Sequence, residues 1–143
     1  MPAPAPLVRT ADAPVSTRMG GEIRPLLTPA SAGTRAGFLA ELRLAAGERT
    51  SEHYHPWSDE HVLLLEGGMR VEVDGHAHDL AAGDALFIRR GARHTMAQRG
   101  PDPARAALFI GPLAPDPADG HVDTEPVAHP DAAPPRVGAP ATA

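Results

Sequence analysis

The chain is 143 residues long, and hydrophobic residues make up 42% of it, which suffices for the core of a single domain. Its formal net charge of −5 excludes the basic surface by which proteins bind nucleic acid or an anionic membrane. No apolar run approaches the about 18 residues of a membrane-spanning helix. Residues 1–18 lack the apolar core of a signal peptide. We therefore expect a cytoplasmic protein without nucleic-acid or membrane partners.

The composition also restricts the chemistry that the side chains can perform. The sequence contains no cysteine, which excludes disulfides, a thiolate nucleophile and cysteine metal ligands. It contains no lysine either, because all 13 basic residues are arginine, so no side chain can form a Schiff base. Carbon–carbon chemistry on a carbonyl compound would therefore depend on a metal or on ordinary acid–base groups.

Prolines divide the chain into a central domain and two tails. Residues 1–19 are rich in proline and alanine, and we expect them to be flexible. After Gly111 the chain becomes proline-rich again, and proline removes the donors that a sheet needs. We expect residues 116–143 to form a Pro/Ala-rich tail that is mostly disordered past about residue 126. The domain between the tails is predicted to span residues 20–115.

The central domain has the pattern of short β-strands separated by glycine turns. Apolar and polar residues alternate in its segments, and Asp74-Gly75 is a favoured signal for a two-residue hairpin. Short strands that recur about every 8–12 residues are typical of a β-sandwich or barrel, so we predict an all-β fold. The predicted strands cover residues 38–44, 50–55, 61–65, 69–73, 77–80, 85–88, 95–98 and 105–110.

Four potential metal ligands are the most specific feature of these strands. Residues i and i+2 of a strand point to the same face, so His53 and His55 project together. Glu60 follows on the next strand, and His94 begins a later one. Alternation places all four side chains inside a barrel near one end, with an apolar lining below. Three imidazoles and a carboxylate in this arrangement can close around one divalent metal.

The ligand types indicate which metal is bound and for what purpose. A donor set dominated by imidazole suits zinc, iron, manganese, nickel or copper better than magnesium or calcium. Three or four protein ligands leave positions open, which is typical of catalytic rather than structural sites. We predict one divalent transition metal per chain, with zinc as the first choice and iron, manganese or nickel as alternatives.

The two glycine-bounded frames that contain these ligands resemble the two motifs of the cupin superfamily. The frame from Gly47 to Gly67 matches G-x5-H-x-H-x4-E-x6-G at every fixed position. The frame from Gly83 to Gln98 is similar to G-x5-P-x-G-x2-H-x3-N, with Arg89 in place of the proline and glutamine in place of the asparagine. The segments GGEIRPLLTPASAGTRAGF, EHYHPWSDEHVLLLEG and GPLAPDPADGHVDTE resemble the small single-domain cupins of aromatic (type II) polyketide biosynthesis, the tetracenomycin-type and resistomycin-type cyclases.

This resemblance implies both a fold and a reaction. The fold would be the cupin double-stranded β-helix, which is a jelly-roll barrel. The reaction would be cyclisation of a poly-β-ketone chain, in which an enolate carbon attacks a carbonyl group of the same chain and water is then lost. The substrate would be a small hydrophobic polyketide, either free or bound to a carrier protein.

Two residues are candidates for catalysis, and a set of apolar residues is the candidate pocket. Glu60 would act either as the fourth metal ligand or as a base. Gln98 lies on the same strand face as His94, where it would hydrogen-bond a substrate oxygen or serve as polar filler. The predicted pocket residues are Phe38, Leu42, Trp57, Val62, Leu64, Met69, Val71, Leu86, Ile88 and Met96.

The motifs leave three functional readings open. Three histidines and a glutamate also suit an iron-dependent oxygenase that acts on an aromatic or enol substrate. A third reading is a non-catalytic, metal-bound scaffold within a synthase complex, because a fold does not dictate a function. In each case we expect a homodimer, since exposed barrel edges favour pairing, and residues 23–27 are the candidate strand for sharing between subunits.

Overall fold

The structure, a computed structural model, describes residues 3–140 and confirms the all-β prediction. Within these residues the only α-helix is a single turn, α1 (Pro29–Ala32), and short 3-10 turns cover Thr10–Asp12 and Pro117–Asp119. The ten strands are β1 (Glu22–Leu27), β2 (Phe38–Leu44), β3 (His53–Tyr54), β4 (Asp59–Glu66), β5 (Gly68–Val73), β6 (His76–Ala81), β7 (Ala85–Ile88), β8 (His94–Arg99), β9 (Ala104–Gly111) and β10 (Val122–Asp123).

The strands form two five-stranded antiparallel sheets. The first has the order β1-β2-β9-β4-β7, and the second has the order β10-β3-β8-β5-β6. Neighbours such as β2 and β9 are far apart in sequence, so the chain crosses repeatedly between the sheets, as a jelly roll requires. Strand β1 pairs with β2 of the same chain. Among the described residues, no helix has the length and apolar character needed to span a membrane.

The core lies between the inward faces of the two sheets. Alternate residues of β4 and β5 are closed off from solvent, including Val62, Leu64, Met69 and Val71. Their outward neighbours, such as Leu65, are exposed. Each fully buried aliphatic side chain contributes about 1.5–3 kcal/mol relative to an exposed one, so this layer supplies much of the stability of the barrel.

Two turns explain why particular glycines occur where they do. Asp74 and Gly75 have φ angles of 48° and 83°, the pair of positive values that a type I′ hairpin needs, and they join β5 to β6 as predicted. Gly67 has a φ of 76°, and a Cβ on it would collide with the carbonyl oxygen of Pro103. The last glycine of the first motif is therefore needed for the turn and for the close approach of a neighbouring loop.

The two terminal segments contact each other across one end of the barrel. The backbone N–H of His129 donates to the carbonyl of Arg18 at 3.0 Å, and that of Ala30 donates to the carbonyl of Val137 at 3.2 Å. The composition predicted disorder past about residue 126, yet the described part of this segment has defined partners. The predicted domain boundaries stay predictions.

Candidate metal centre

The barrel brings the four predicted ligands together at one end. His53 lies on β3 directly opposite His94 on β8, because the two residues are register partners in the second sheet. His55 follows β3 by one residue, and Glu60 enters from β4 in the facing sheet. All four side chains are buried, as the alternation of each strand predicted.

Each of the three histidines is oriented by a backbone carbonyl. A carbonyl oxygen only accepts hydrogen bonds, so the imidazole nitrogen that faces it carries the hydrogen. In a neutral ring the other nitrogen, Nε2, then has a free lone pair that can bind a metal. The contacts are His53 Nδ1 to Ser51 O at 2.8 Å, His55 Nδ1 to Gly120 O at 3.0 Å and His94 Nδ1 to Ala92 O at 2.9 Å.

Two of the free nitrogens lie near the carboxylate of Glu60. His55 Nε2 lies 3.2 Å from Glu60 Oε1, and His94 Nε2 lies 3.7 Å from Glu60 Oε2. His55 Nε2, His94 Nε2 and Glu60 Oε2 are fully buried and have no hydrogen-bond partner among the described residues. Buried polar atoms without a partner are costly, so these three atoms point to a group that the protein is built to hold.

Burial and proximity shift the protonation of these side chains. Burial lowers the pKa of His53 well below its usual value, and the neighbouring imidazoles lower it further. Burial also acts to lower the pKa of His55, but the adjacent Glu60 carboxylate outweighs it and the pKa is raised. Burial would raise the pKa of Glu60, but His55 and His94 bring it down to about 2. At neutral pH the cluster therefore contains a carboxylate anion that can attract a cation.

A fifth side chain, His121, joins the cluster and was not identified from the sequence. Its ring stacks on that of His53, with centroids 4.4 Å apart and an interplanar angle of 17°. One ligand atom each from His53, His55 and His121 lie within 4.8 Å of one another. The Nε2 of His121 also hydrogen-bonds Asp123 Oδ1 at 2.6 Å.

Strand β10 and the residues after it hold His121 in place. Asp123 pairs with His53 in the short ladder between β10 and β3. Just beyond, Glu125 Oε1 accepts hydrogen bonds from Arg49 Nη2 and from the backbone N–H of Glu52, both at 2.6 Å. These contacts fasten the segment that supplies both His121 and the Gly120 carbonyl behind His55.

The donor set fits a divalent transition metal. Two groups satisfy the geometry for shared ligation, the trio of His55, Glu60 and His94 and the trio of His53, His55 and His121, and His55 belongs to both. Imidazole nitrogens and one carboxylate suit zinc, iron, manganese or nickel better than magnesium or calcium.

A cavity of about 1050 Å³ opens directly onto this cluster. Its wall contains His53, His55, Glu60 and His121, together with many apolar residues. Three of the ten predicted pocket residues, Phe38, Leu42 and Met96, line it. The cavity is comparable in size to the larger ligand pockets of proteins, which reach about 1,000 Å³.

The other predicted pocket residues lie elsewhere, and the reason is the depth of the barrel. Alternation correctly predicts that a side chain points inward, but the lower part of the barrel is filled by the facing sheet. Leu86 is half-buried and packs against this filled core. Trp57 is 44% exposed and does not line the cavity. Five residues are closed within the core, namely Val62, Leu64, Met69, Val71 and Ile88.

Gln98 does not reach the centre. Its amide nitrogen donates to the carbonyls of Gly100 and Asp102, both at 2.8 Å, and its amide oxygen accepts from the N–H of Gly47 at 3.1 Å. The side chain therefore ties the end of β8 to two turns. These contacts agree with the alternative of polar filler, and the predicted hydrogen bond of Gln98 to a substrate oxygen stays a prediction.

Comparison with known proteins shows a consistent set of relatives. Residues 40–111 match the model of the cupin domain. The tetracenomycin polyketide synthase protein TcmJ of Streptomyces glaucescens is 53% identical over 123 residues, which cover 86% of this chain and 83% of that protein. The polyketide synthase CurC of Streptomyces cyaneus is 44% identical over 108 residues, which cover 76% and 70%.

Solved structures give the same fold at lower sequence identity. The polyketide cyclase RemF of Streptomyces resistomycificus superposes with a TM-score of 0.67 at 21% identity, over 91% of this chain and 90% of that one. A predicted oxalate decarboxylase of Thermotoga maritima superposes with a TM-score of 0.65 at 23% identity, over 75% and 99%. These likenesses confirm the double-stranded β-helix.

Proposed function

Because this chain belongs to the cupin family, and its relatives are proteins of polyketide biosynthesis, we propose that it is a metal-dependent cyclase of aromatic polyketide biosynthesis. The observation that carries the proposal is the buried, unpartnered cluster of histidine and glutamate atoms at the end of an apolar cavity. The substrate would be a poly-β-ketone chain, and the reaction an intramolecular aldol condensation followed by dehydration.

In this proposal His53, His55 and His94 hold the metal through Nε2. The three carbonyl contacts at Nδ1 support these roles, because they fix the tautomer and the direction of each lone pair. Glu60 is either the fourth ligand or the base. His121 is a further ligand or a group that contacts the bound substrate.

A bound divalent metal would supply a Lewis acid that polarises carbonyl oxygens and acidifies the methylene between them. Glu60 is ionised at neutral pH, so it can accept the proton that leaves this methylene. In the aldol step this proton returns to the oxygen of the attacked carbonyl, which becomes a hydroxyl. Dehydration then removes a second proton from the same carbon together with that hydroxyl, and the two leave as water. No lysine or cysteine exists to form a covalent intermediate with the substrate carbonyl.

The apolar part of the cavity would control the shape of the substrate. Phe38, Leu42, Met96, Leu108 and Ile110 contribute to its wall and would keep water away from a bound chain. A poly-β-ketone in water cyclises in several ways, so holding it bent in a dry cavity favours one ring closure.

The donor set also supports a second candidate, a cupin oxygenase that uses iron. Three histidines and one carboxylate suit Fe(II) as well as zinc. An oxygen electrode separates the two readings, because only the oxygenase consumes oxygen in step with substrate loss. The scaffold hypothesis differs from both. If it holds, variants that lack a metal ligand should raise product yield almost as much as wild type does.

The test of the cyclase proposal is reconstitution with a minimal polyketide synthase that delivers the linear chain. Wild type should raise the fraction of one cyclised product. The increase produced by His94→Ala should be at least about tenfold smaller. Replacement of His76, an exposed histidine on β6, by alanine is the matched control and should behave as wild type. Equal product profiles with wild type, His94→Ala and no protein would refute the proposal.

We also propose that the protein forms a homodimer through the outer face of the first sheet. Leu63, Leu65, Phe87 and Phe109 are between 38% and 50% exposed there, which makes an apolar surface that water disfavours. Sedimentation should show a dimer for wild type and a monomer for Phe87→Glu. Leu7→Glu, a control at an exposed position of the N-terminal segment, should leave the dimer intact.

A further inference from the structure

The outer wall of the cavity is not part of the barrel. Besides residues 113–121, it includes two terminal segments, residues 14–19 from the N-terminal side and residues 127–138 from the C-terminal side. Both segments contribute lining residues, including Val15, Met19, Val127, Pro134, Pro135 and Val137. The cavity that opens onto the histidines is therefore closed by chain that the sheets do not hold.

Two side chains of the N-terminal segment fasten the C-terminal one. The guanidinium of Arg18 donates from Nη1 to the carbonyls of Pro130 and Ala132, the latter at 3.0 Å. The hydroxyl of Ser16 donates to the carbonyl of Ala133 at 2.6 Å. Ser16 is itself buried and exchanges two backbone hydrogen bonds of 2.9 Å with Ile23, so this anchor is tied to β1.

The far end of the segment is held at helix α1. The carbonyl of Val137 accepts from the N–H of Ala30 at 3.2 Å. Gly138 follows with a φ of 85°, and a Cβ on it would press against Ala30 at 3.0 Å. The segment from residue 129 to residue 138, which we name the strap, is thus fixed at both ends and crosses the cavity between them.

The composition of the strap suits a wall that faces apolar ligands. Pro134 and Pro135 line the cavity and have no N–H, so they leave no donor unpaired where the strap meets it. Proline also restricts the unfolded chain, which lowers the entropy cost of ordering a segment that lies outside the sheets. The same residues that predicted disorder therefore make an ordered strap less costly.

We propose that the strap is a wall of the substrate site that decides which folded polyketides fit, with Ser16 and Arg18 as its positioning residues. This inference rests on the proposed function for the nature of the ligand. The metal cluster fixes one end of the substrate, and the strap limits how far the rest of the chain can extend or bend. Loosening the strap admits water and alternative folds of the chain.

The test uses full-length protein and a fluorescent probe, 1,8-dihydroxyanthraquinone, a fused three-ring aromatic with the chemistry expected of a cyclised product. Ser16→Ala and Arg18→Met remove the anchors, while Val137→Phe fills the cavity from the strap. Arg9→Met is the matched control, since Arg9 is exposed and does not line the cavity. Each variant is checked for bound metal, and hydrogen exchange is followed at the strap amides and at β4.

We expect Ser16→Ala and Arg18→Met to bind the probe about five- to tenfold more weakly, with faster exchange in the strap and unchanged exchange in β4. Val137→Phe should weaken binding by at least about fivefold without faster exchange. All variants should keep the metal content of wild type, and Arg9→Met should keep its probe affinity. In the reconstituted cyclisation, the two anchor variants should raise the share of shunt products at least about threefold.

Two results would overturn the inference. One is wild-type probe affinity in Ser16→Ala, Arg18→Met and Val137→Phe, whether or not their strap amides exchange faster. The other is a wild-type protein that does not bind the probe. If probe binding depends on the strap but the wild type forms no cyclised product, the proposed cyclase function fails and the strap remains a ligand wall.

Discussion

Removal of the proposed metal should destabilise this protein far more than loss of a surface ion would. Three buried ligand atoms, on His55, Glu60 and His94, have no hydrogen-bond partner among the described residues. An unsatisfied buried polar group costs about 1–3 kcal/mol, so three of them cost about 3–9 kcal/mol in the metal-free protein. A bound divalent metal should recover at least the lower end of this range.

The corresponding change in melting temperature is large enough to measure directly. For domains near this size, about 1 kcal/mol corresponds to a shift of roughly 2–6 °C, so recovery of about 3 kcal/mol predicts a rise of about 6–18 °C. The assay is calorimetry of chelator-treated protein before and after addition of zinc, manganese, nickel or anaerobic ferrous iron. Protein and metal concentrations are held fixed, because stabilisation by a ligand depends on both.

Two variants make the calorimetry specific for the proposed centre. His94→Ala should abolish most of the rise, whereas His76→Ala, at an exposed histidine of β6, should keep it. The reasoning is refuted if every metal shifts the melting temperature by less than about 2 °C. It is refuted equally if His94→Ala retains the full rise.

Two further predictions concern the Glu125 contacts that hold the segment of His121 in place, and the filled core. Glu125→Gln removes the carboxylate that binds Arg49 and should weaken metal affinity about 3- to 10-fold in competition with a chromophoric chelator, whereas Glu72→Gln, at an exposed position of β5, should leave it unchanged. Equal affinities in all three proteins would contradict this role of Glu125. Leu64 is fully buried and Leu65 is exposed, so Leu64→Ala should lower the free energy of unfolding by about 2–5 kcal/mol with metal content retained, and Leu65→Ala should lower it by less than about 1 kcal/mol. The measurement is denaturant titration. Equal losses in the two variants would show that Leu64 is not part of the core.

The sequence predicted those site residues whose placement depends on strand periodicity. His53 and His55 are two positions apart, so any strand there directs both to one face. Glu60 shares its inward face with Val62 and Leu64, and all three are buried. Alternation is a local property of the backbone, so it does not depend on how the rest of the chain folds.

His121 was missed because nothing local marks it. It lies between a 3-10 turn and a two-residue strand, 27 residues after His94, with no glycine frame around it. Only the pairing of β10 with β3 brings it onto His53. The available signal was the segment GPLAPDPADGHVDTE, because its resemblance to polyketide cupins is not explained by the two metal-binding motifs. His121 and Asp123 are two positions apart in this segment.

The pocket was predicted poorly for a related reason. Periodicity separates inward from outward residues, but it does not say how far the opposite sheet fills the space in front of them. Ile88 and Met96 both point inward, yet only Met96 reaches the cavity. The wall formed by the terminal segments could not be predicted from the sequence either. It depends on hydrogen bonds from Ser16 and Arg18 to carbonyls that are more than 110 residues away in sequence.

We propose above all that one buried cluster of histidines and a glutamate holds a single divalent metal. Elemental analysis by mass spectrometry, on wild type and His53→Ala purified side by side without chelator, tests it most directly, with His78→Ala on exposed β6 as control. We expect about one equivalent of zinc or another divalent transition metal per chain in wild type and the control, and its loss in His53→Ala. A wild-type protein without such a metal, or a His53→Ala variant that retains it in full, would refute this proposal.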